Sequence, residues 1–256
     1  MRRFLLLTVT YAKRSYLEAM AWRSFLYTLV INQAVAPLLG LAIWSAALPD
    51  QAGISSYFVA LLVVQLMTVS YEYHSVSMAI YEGHLNDWLL RPHQVVISSL
   101  GENIAMRIWH LGVGLPIIAA VAIITNVSFD PGNILAAVPA LLIAGLLRFL
   151  FTYSLALSAL WGQQAGGVTE LGSTLIFLLG GMAVPISLFP ERLQPFGEAL
   201  PFRAMLGCPA EIASGQLTSQ QLAAGYGWQL LWLAALVPLT ARTWSAGVRR
   251  YTALGG

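Results

Sequence analysis

The side chains able to do acid–base or metal chemistry in this sequence are few and scattered. The histidines are His74, His84, His93 and His110. No two of them form an H-E-x-x-H pair, which would set two imidazoles one helical turn apart around a metal. The nearest approach to a catalytic cluster is Tyr71-Glu72-Tyr73-His74. A carboxylate and an imidazole two residues apart lie on different helix faces, so they do not converge on one reacting atom. A single cysteine, Cys208, excludes an intrachain disulfide and a cysteine metal cluster. A phosphate-cradling loop needs G-x-x-x-x-G-K-[ST], and the only lysine, Lys13, has no glycine before it. The expectation is a chain with no catalytic residue, no metal ligand set and no ATP hydrolysis of its own.

Charge placement says what the chain is built for instead. Thirteen basic and eleven acidic residues are separated by long blocks without formal charge, among them those from Arg23 to Asp50, Asp50 to Glu72, Arg107 to Asp130 and Glu211 to Arg242. Crossing the hydrocarbon layer as a helix takes roughly 20 residues at about 1.5 Å each. A soluble core helix would also need a polar face, which these blocks lack. With 58% hydrophobic and 9% charged residues, the chain reads as a polytopic membrane protein. A membrane barrel would show alternating segments of about ten residues. Runs such as Leu135–Leu147 are continuously apolar, so the predicted class is all-α. The net charge of +2 gives no basis for a nucleic-acid partner.

Six transmembrane helices are predicted, at about Ser24–Leu48, Tyr57–Ile80, Ile108–Thr125, Ile134–Leu160, Leu171–Leu188 and Gly227–Trp244. Trp22, Trp44, Trp109 and Trp161 fall at span ends, as an interfacial belt requires, whereas Trp88 sits in a connection. Arg2-Arg3-Phe4-Leu5-Leu6 resembles a targeting start, but Lys13-Arg14 interrupts the apolar run and no small-residue cleavage site follows. Residues 1–23 are therefore read as an amphipathic interfacial helix with an apolar stripe of Leu6, Val9, Leu17 and Met20. With both termini cytoplasmic, ten basic residues, Arg107 among them, fall inside and only Arg192 and Arg203 outside. The outer segment 187–226 carries Pro190, Pro195, Pro201 and Pro209 between apolar residues. Prolines break continuous helix, yet the segment is too apolar for a solvated loop. Short re-entrant helices that dip into the outer bilayer half or cap a cavity reconcile the two. No repeat or linker divides the chain, so residues 1–256 form one domain.

The connection after the second span, within residues 81–106, reads Glu82-Gly83-His84-Leu85-Asn86-Asp87-Trp88-Leu89-Leu90-Arg91-Pro92. Leu85, Trp88 and Leu89 share one helical face at i, i+3 and i+4, and Pro92 marks the stop. Such a helix inserts into a groove of a soluble partner or rests in the lipid interface. This segment, together with Phe189-Pro190, Leu200-Pro201-Phe202 and the six-span layout, resembles the permease subunit of a type-2 ATP-binding-cassette (ABC) exporter. The ending Arg249-Arg250-Tyr251 with Gly255-Gly256 is similar to a poorly characterised bacterial branch of it. The resemblance implies a plasma-membrane (bacterial inner-membrane) permease that works as a dimer with a second permease copy or a similar permease. It implies ABC ATPase subunits as partners, which hold ATP and Mg, while this chain binds no cofactor. Glu82, Gly83, Leu85, Asp87, Trp88, Arg91 and Pro92 would form the coupling helix. The implied cargo is a small amphiphilic, lipid-like or drug-like molecule. A non-transporting membrane anchor or assembly factor is the alternative reading.

Ionisable groups inside a bilayer cost a few kcal/mol or more, so each needs a partner or a water-filled lining. Arg148 lies near the middle of the fourth span, and Glu72 and Glu170 are the available carboxylates. Arg148 is expected to pair with one of them, as a fixed packing contact or as a gate or substrate contact. Asn32 and Gln33 in the first span and Gln65 in the second would bond across helices or line a pathway. Gly180-Gly181 and Pro185 would let the fifth span pack closely or bend.

Overall fold

In the computed structural model, residues 2–51, 53–162 and 165–251 are described, and among them there are helices and turns but no strand. The predicted signature at Gly255-Gly256 lies outside them. The apolar runs become helices because hydrocarbon offers backbone amides no partner, so each must bond within its own helix. Among the described residues, five helical stretches are long and apolar enough to cross a membrane: Arg23–Ala47, Ile54–Tyr81, Val95–Ile124, Pro131–Leu160 and Ser219–Val248. At the sixth predicted crossing there is a shorter apolar helix, Ala165–Leu179.

Helix α1 (Arg2–Ala21) turns at Trp22 into α2 (Arg23–Ala47). The second long stretch contains α3 (Ile54–Thr68) and α4 (Met78–Tyr81), and a separate short helix, α5 (Leu85–Leu89), follows it. Then comes α6 (Val95–Ile124), over which α1 packs. A Cβ at Gly101 of α6 would meet Tyr11 Cβ at 2.5 Å and the Thr8 carbonyl at 2.9 Å, so this crossing needs glycine. The opposite side of α1 leaves Leu6, Val9, Leu17 and Met20 exposed.

Helix α6 begins at Val95, so the inner connection is shorter than the predicted 81–106. Arg107 and Trp109, read as boundary residues, lie well within it. Trp109 is 7% exposed and packs against the Tyr16 and Tyr27 rings rather than standing at a span end. A cation usually stands at the membrane boundary, but here the bundle accommodates the Arg107 guanidinium internally.

Helix α7 (Pro131–Ala156) starts with Pro131 at its first position and Asp130 as its cap, Oδ2 accepting from the Asn133 amide at 3.1 Å. It continues as a 3₁₀ turn, Leu157–Leu160. Helix α8 (Ala165–Leu179) ends nine residues before the predicted Leu188. Gly180-Gly181 terminate it rather than bend it: Gly181 has φ +89, and its carbonyl accepts from the buried Tyr57 hydroxyl at 2.8 Å.

The outer segment forms α9 (Gln194–Ala199), α10 (Pro201–Met205) and α11 (Gly207–Ala213) before α12 (Ser219–Val248). Proline opens α9 and α10, where its missing N–H costs nothing. Residues 201–212 are buried throughout, so α10 and most of α11 are part of the protein core. Arg203, counted above as an outer-loop cation, forms a buried ion pair with Glu211 at 2.6 Å. The two are eight residues apart on consecutive short helices, a spacing no single-helix pattern reveals.

Cys208 on α11 is 1% exposed, and burial pushes its thiol up to about 12. The thiolate, the reactive form, is therefore scarce at neutral pH. A membrane-permeant maleimide is expected to leave native protein unlabelled at pH 7–8 and to label it fully after denaturation in detergent. Labelling at equal rates in both states would contradict this packing of α11.

Candidate functional site

The second long stretch is interrupted along its length. Helix α3 stops at Thr68, Val69 is extended (φ −51, ψ 144), and the chain resumes as a π-helical turn over Tyr73–Ser77. Counted from Ile54, the break lies about 21 Å along the helix axis at roughly 1.5 Å per residue, well within a layer about 30 Å thick. Irregular backbone at such depth persists only where protein supplies hydrogen-bond partners or the chain lines a cavity. Both conditions are met here.

Arg107 of α6 supplies the partners. Its Nε donates to the Val69 carbonyl at 3.4 Å, and Nη2 lies 3.4 Å from both the Thr68 carbonyl and Ser70 Oγ. Nη2 also reaches the Gly145 carbonyl of α7 at 2.6 Å. A Cβ at Gly145 would stand 2.6 Å from Nη1, so glycine lets the guanidinium approach α7. The planar fork suits this task, because one side chain serves acceptors in several directions.

Glu72, at the restart of the helix, is 3% exposed and accepts from Asn103 Nδ2 at 2.6 Å and from Thr152 Oγ1 at 2.6 Å. Arg148 donates through Nη1 to Gln65 Oε1 at 2.7 Å and Thr68 Oγ1 at 3.0 Å. Gln65 in turn donates to Gln33 Oε1 at 2.6 Å, tying α3 to α2. The predicted ion pair is therefore absent: among the described residues Arg148 pairs with neither Glu72 nor Glu170. Neutral oxygens occupy its Nη1, and amide and hydroxyl donors satisfy Glu72. Close by, the Tyr71 hydroxyl and His110 Nε2 are 2.9 Å apart.

Beside this network is a cavity of ≈ 390 Å³ between α2, the break, α7 and α8. Asn32, Gln33, Gln65, Arg148 and Glu170, five of the six predicted intramembrane polar residues, line it; Glu72 lies behind Thr152, which also lines it. Sequence reasoning missed Asn103, Arg107, His110 and Thr152. A signal existed: Asn103, Arg107 and His110 recur at i, i+4 and i+7, and Arg148 and Thr152 at i, i+4, as polar lines on apolar helices.

Beyond the break, α5 has two unlike faces. Leu85 is fully buried and Trp88 packs against the main core, whereas Leu90 is 85% and Leu89 41% exposed. Leu85 and Trp88 therefore anchor α5 to its own bundle, which corrects their placement on a partner-facing stripe. Glu82, Asp87 and Pro92 are exposed; Gly83 has φ +79, a turn that favours glycine. Arg91 Nη1 reaches Tyr11 Oη at 3.5 Å, and that hydroxyl is 2.7 Å from His93 Nε2, so the segment is tied to α1. Tyr81 Oη accepts from the Ala165 amide at 2.6 Å, tying it to the start of α8.

Among the described residues, no group of His, Cys, Asp and Glu is placed to hold a metal. The arrangement is a polar cavity within a helical membrane bundle, next to a discontinuous helix followed by a short helix with one exposed face. The family described as ABC-2 family transporter protein matches residues 11–255. No curated protein and no solved structure matches the chain.

Proposed function

The chain belongs to the ABC-2 transporter family and is a multi-pass permease subunit of an ABC transporter; from that premise we propose that it exports a small amphiphile by alternating access. The family implies an ABC ATPase partner in general. In this reading, ATP and Mg bind that partner, two permeases enclose the pathway, and the chain sits in a bacterial inner membrane with both termini cytoplasmic.

The observation that supports this most is continuity. The polar cavity borders the helix break, and the chain runs from the break through Tyr73–Ser77 and α4 to α5. Nucleotide-driven closure of the ATPases would push on the exposed face of α5. Its anchors Leu85 and Trp88 would carry the displacement into the bundle, and Tyr81 would pass it to the start of α8. A π turn and an extended residue next to the cavity form a segment able to change conformation without breaking a continuous helix.

The test is association. The purified chain is expected to co-purify with its cognate ATPase, and Asp87→Arg with Arg91→Glu to weaken that association at least about tenfold, the scale of a lost charge-complementary contact. Failure of the wild type to bind, or unchanged binding by the double variant, would remove the coupling role.

A further inference from the structure

The polar core of the bundle is not paired charge to charge. It contains the guanidinium groups of Arg107 and Arg148 and the carboxylate of Glu72, with Glu102 half-buried near Glu72, and among the described residues none of these forms a salt bridge. Arg107 is spread over backbone carbonyls and Ser70, and Glu72 is held by Asn103 and Thr152. Arg148 is different. It is 8% exposed, lines the cavity, and uses only Nη1, on two neutral oxygens. Its Nε is buried without a partner, and Nη2 makes no hydrogen bond among the described residues. A buried cation costs several kcal/mol unless an anion or further hydrogen bonds compensate it. The other charged groups facing the cavity do not supply this: His74 is exposed, and Glu170 is an exposed carboxylate at the mouth, where water hydrates it.

The cavity wall has a second character. Ala36, Val69, Ile176, Phe177 and Met182 line it, and the flanking helices expose Val35, Leu39 and Leu178. A ligand entering here would therefore meet a cationic fork at one end and apolar surface along the rest. A guanidinium with free N–H groups matches two oxygens of a carboxylate or phosphate.

We propose that this cavity binds an amphiphile by an anionic headgroup, a carboxylate or a phosphate, with Arg148 as the residue that selects the charge. The proposal rests on the transport reading but is tested without the ATPase, so that failure of docking and failure of this site are separate results. The full chain is purified in a neutral detergent, and retention of octyl phosphate, octanoate, octyltrimethylammonium and inorganic phosphate is measured by native mass spectrometry. Octyl phosphate or octanoate is expected to bind at least tenfold more tightly than the cation or inorganic phosphate. The comparison of the two anionic heads tells phosphate from carboxylate recognition. Arg148→Gln should remove that preference, and Arg148→Lys should keep part of it. Should Arg148→Gln not fold, Glu170→Gln removes an exposed carboxylate at the mouth and should strengthen octyl phosphate binding several-fold. Equal binding of cation and anions, inorganic phosphate binding as tightly as octyl phosphate, or an unaltered preference in Arg148→Gln or Glu170→Gln would each overturn the proposal.

Discussion

Arg107→Leu is expected to lower the stability of the bundle by about 3–5 kcal/mol, the cost of stranding buried polar groups. The Val69 and Thr68 carbonyls at the helix break, Ser70 Oγ and the Gly145 carbonyl all lose the same donor. The carbonyls of the break have no intrahelical partner, because Val69 is extended, and so depend on donors from neighbouring helices. Thermal unfolding in detergent should show the midpoint falling by about 10 °C, on the usual scale of a few degrees per kcal/mol for a chain of this size. Arg23→Leu, at an exposed position, serves as the control and should change little. Arg107→Lys should recover only part, since an ammonium presents a point charge where the site uses a fork. An unchanged midpoint in Arg107→Leu would mean that the carbonyls at the break are satisfied in some other way.

The second large effect separates the two faces of α5. Leu85→Ser places a hydroxyl in a fully buried site and removes core volume, which typically costs 2–5 kcal/mol. It should reduce folded protein and, for that reason, transport. Leu90→Ser alters a side chain that is 85% exposed and should leave the unfolding midpoint within about half a kcal/mol. If the exposed face meets the ATPase, Leu90→Ser should still lower association with it and cut transport-coupled ATP hydrolysis several-fold. Measuring midpoint and association together decides the matter. Equal losses of stability in both variants would contradict the two-faced α5, and normal ATPase association in a folded Leu90→Ser variant would move the contact elsewhere.

The membrane class and the helical architecture were legible because they follow from one-dimensional quantities. A charge-free run of sufficient length has few other stable solutions in lipid, and the runs do form long helices. The prolines of the outer segment likewise marked where helices begin, as they do at α9 and α10. Reading failed where a residue's meaning depends on what lies across from it. Arg107 looked like the end of a span because a cation usually stands at the membrane boundary, yet α6 continues through it. Gly180-Gly181 looked like a packing or bending site, and only the Tyr57 contact and the left-handed backbone show that the helix ends there.

Sequence by itself determined that this chain is a bundle of membrane helices with a few intramembrane polar groups and a short amphipathic helix between its second and third long helices. Tertiary structure decided which of those groups meet. Asn32, Gln33, Arg148 and Glu170 come from three helices and share one cavity, whereas Arg148 and the carboxylates do not pair. The physical reason is that composition and periodicity report how each helix is solvated along its own axis. Hydrogen-bond partnership is settled by rotation and depth between helices, and here the break at Val69 turned the carbonyls of Thr68 and Val69 into acceptors that drew Arg107 inward.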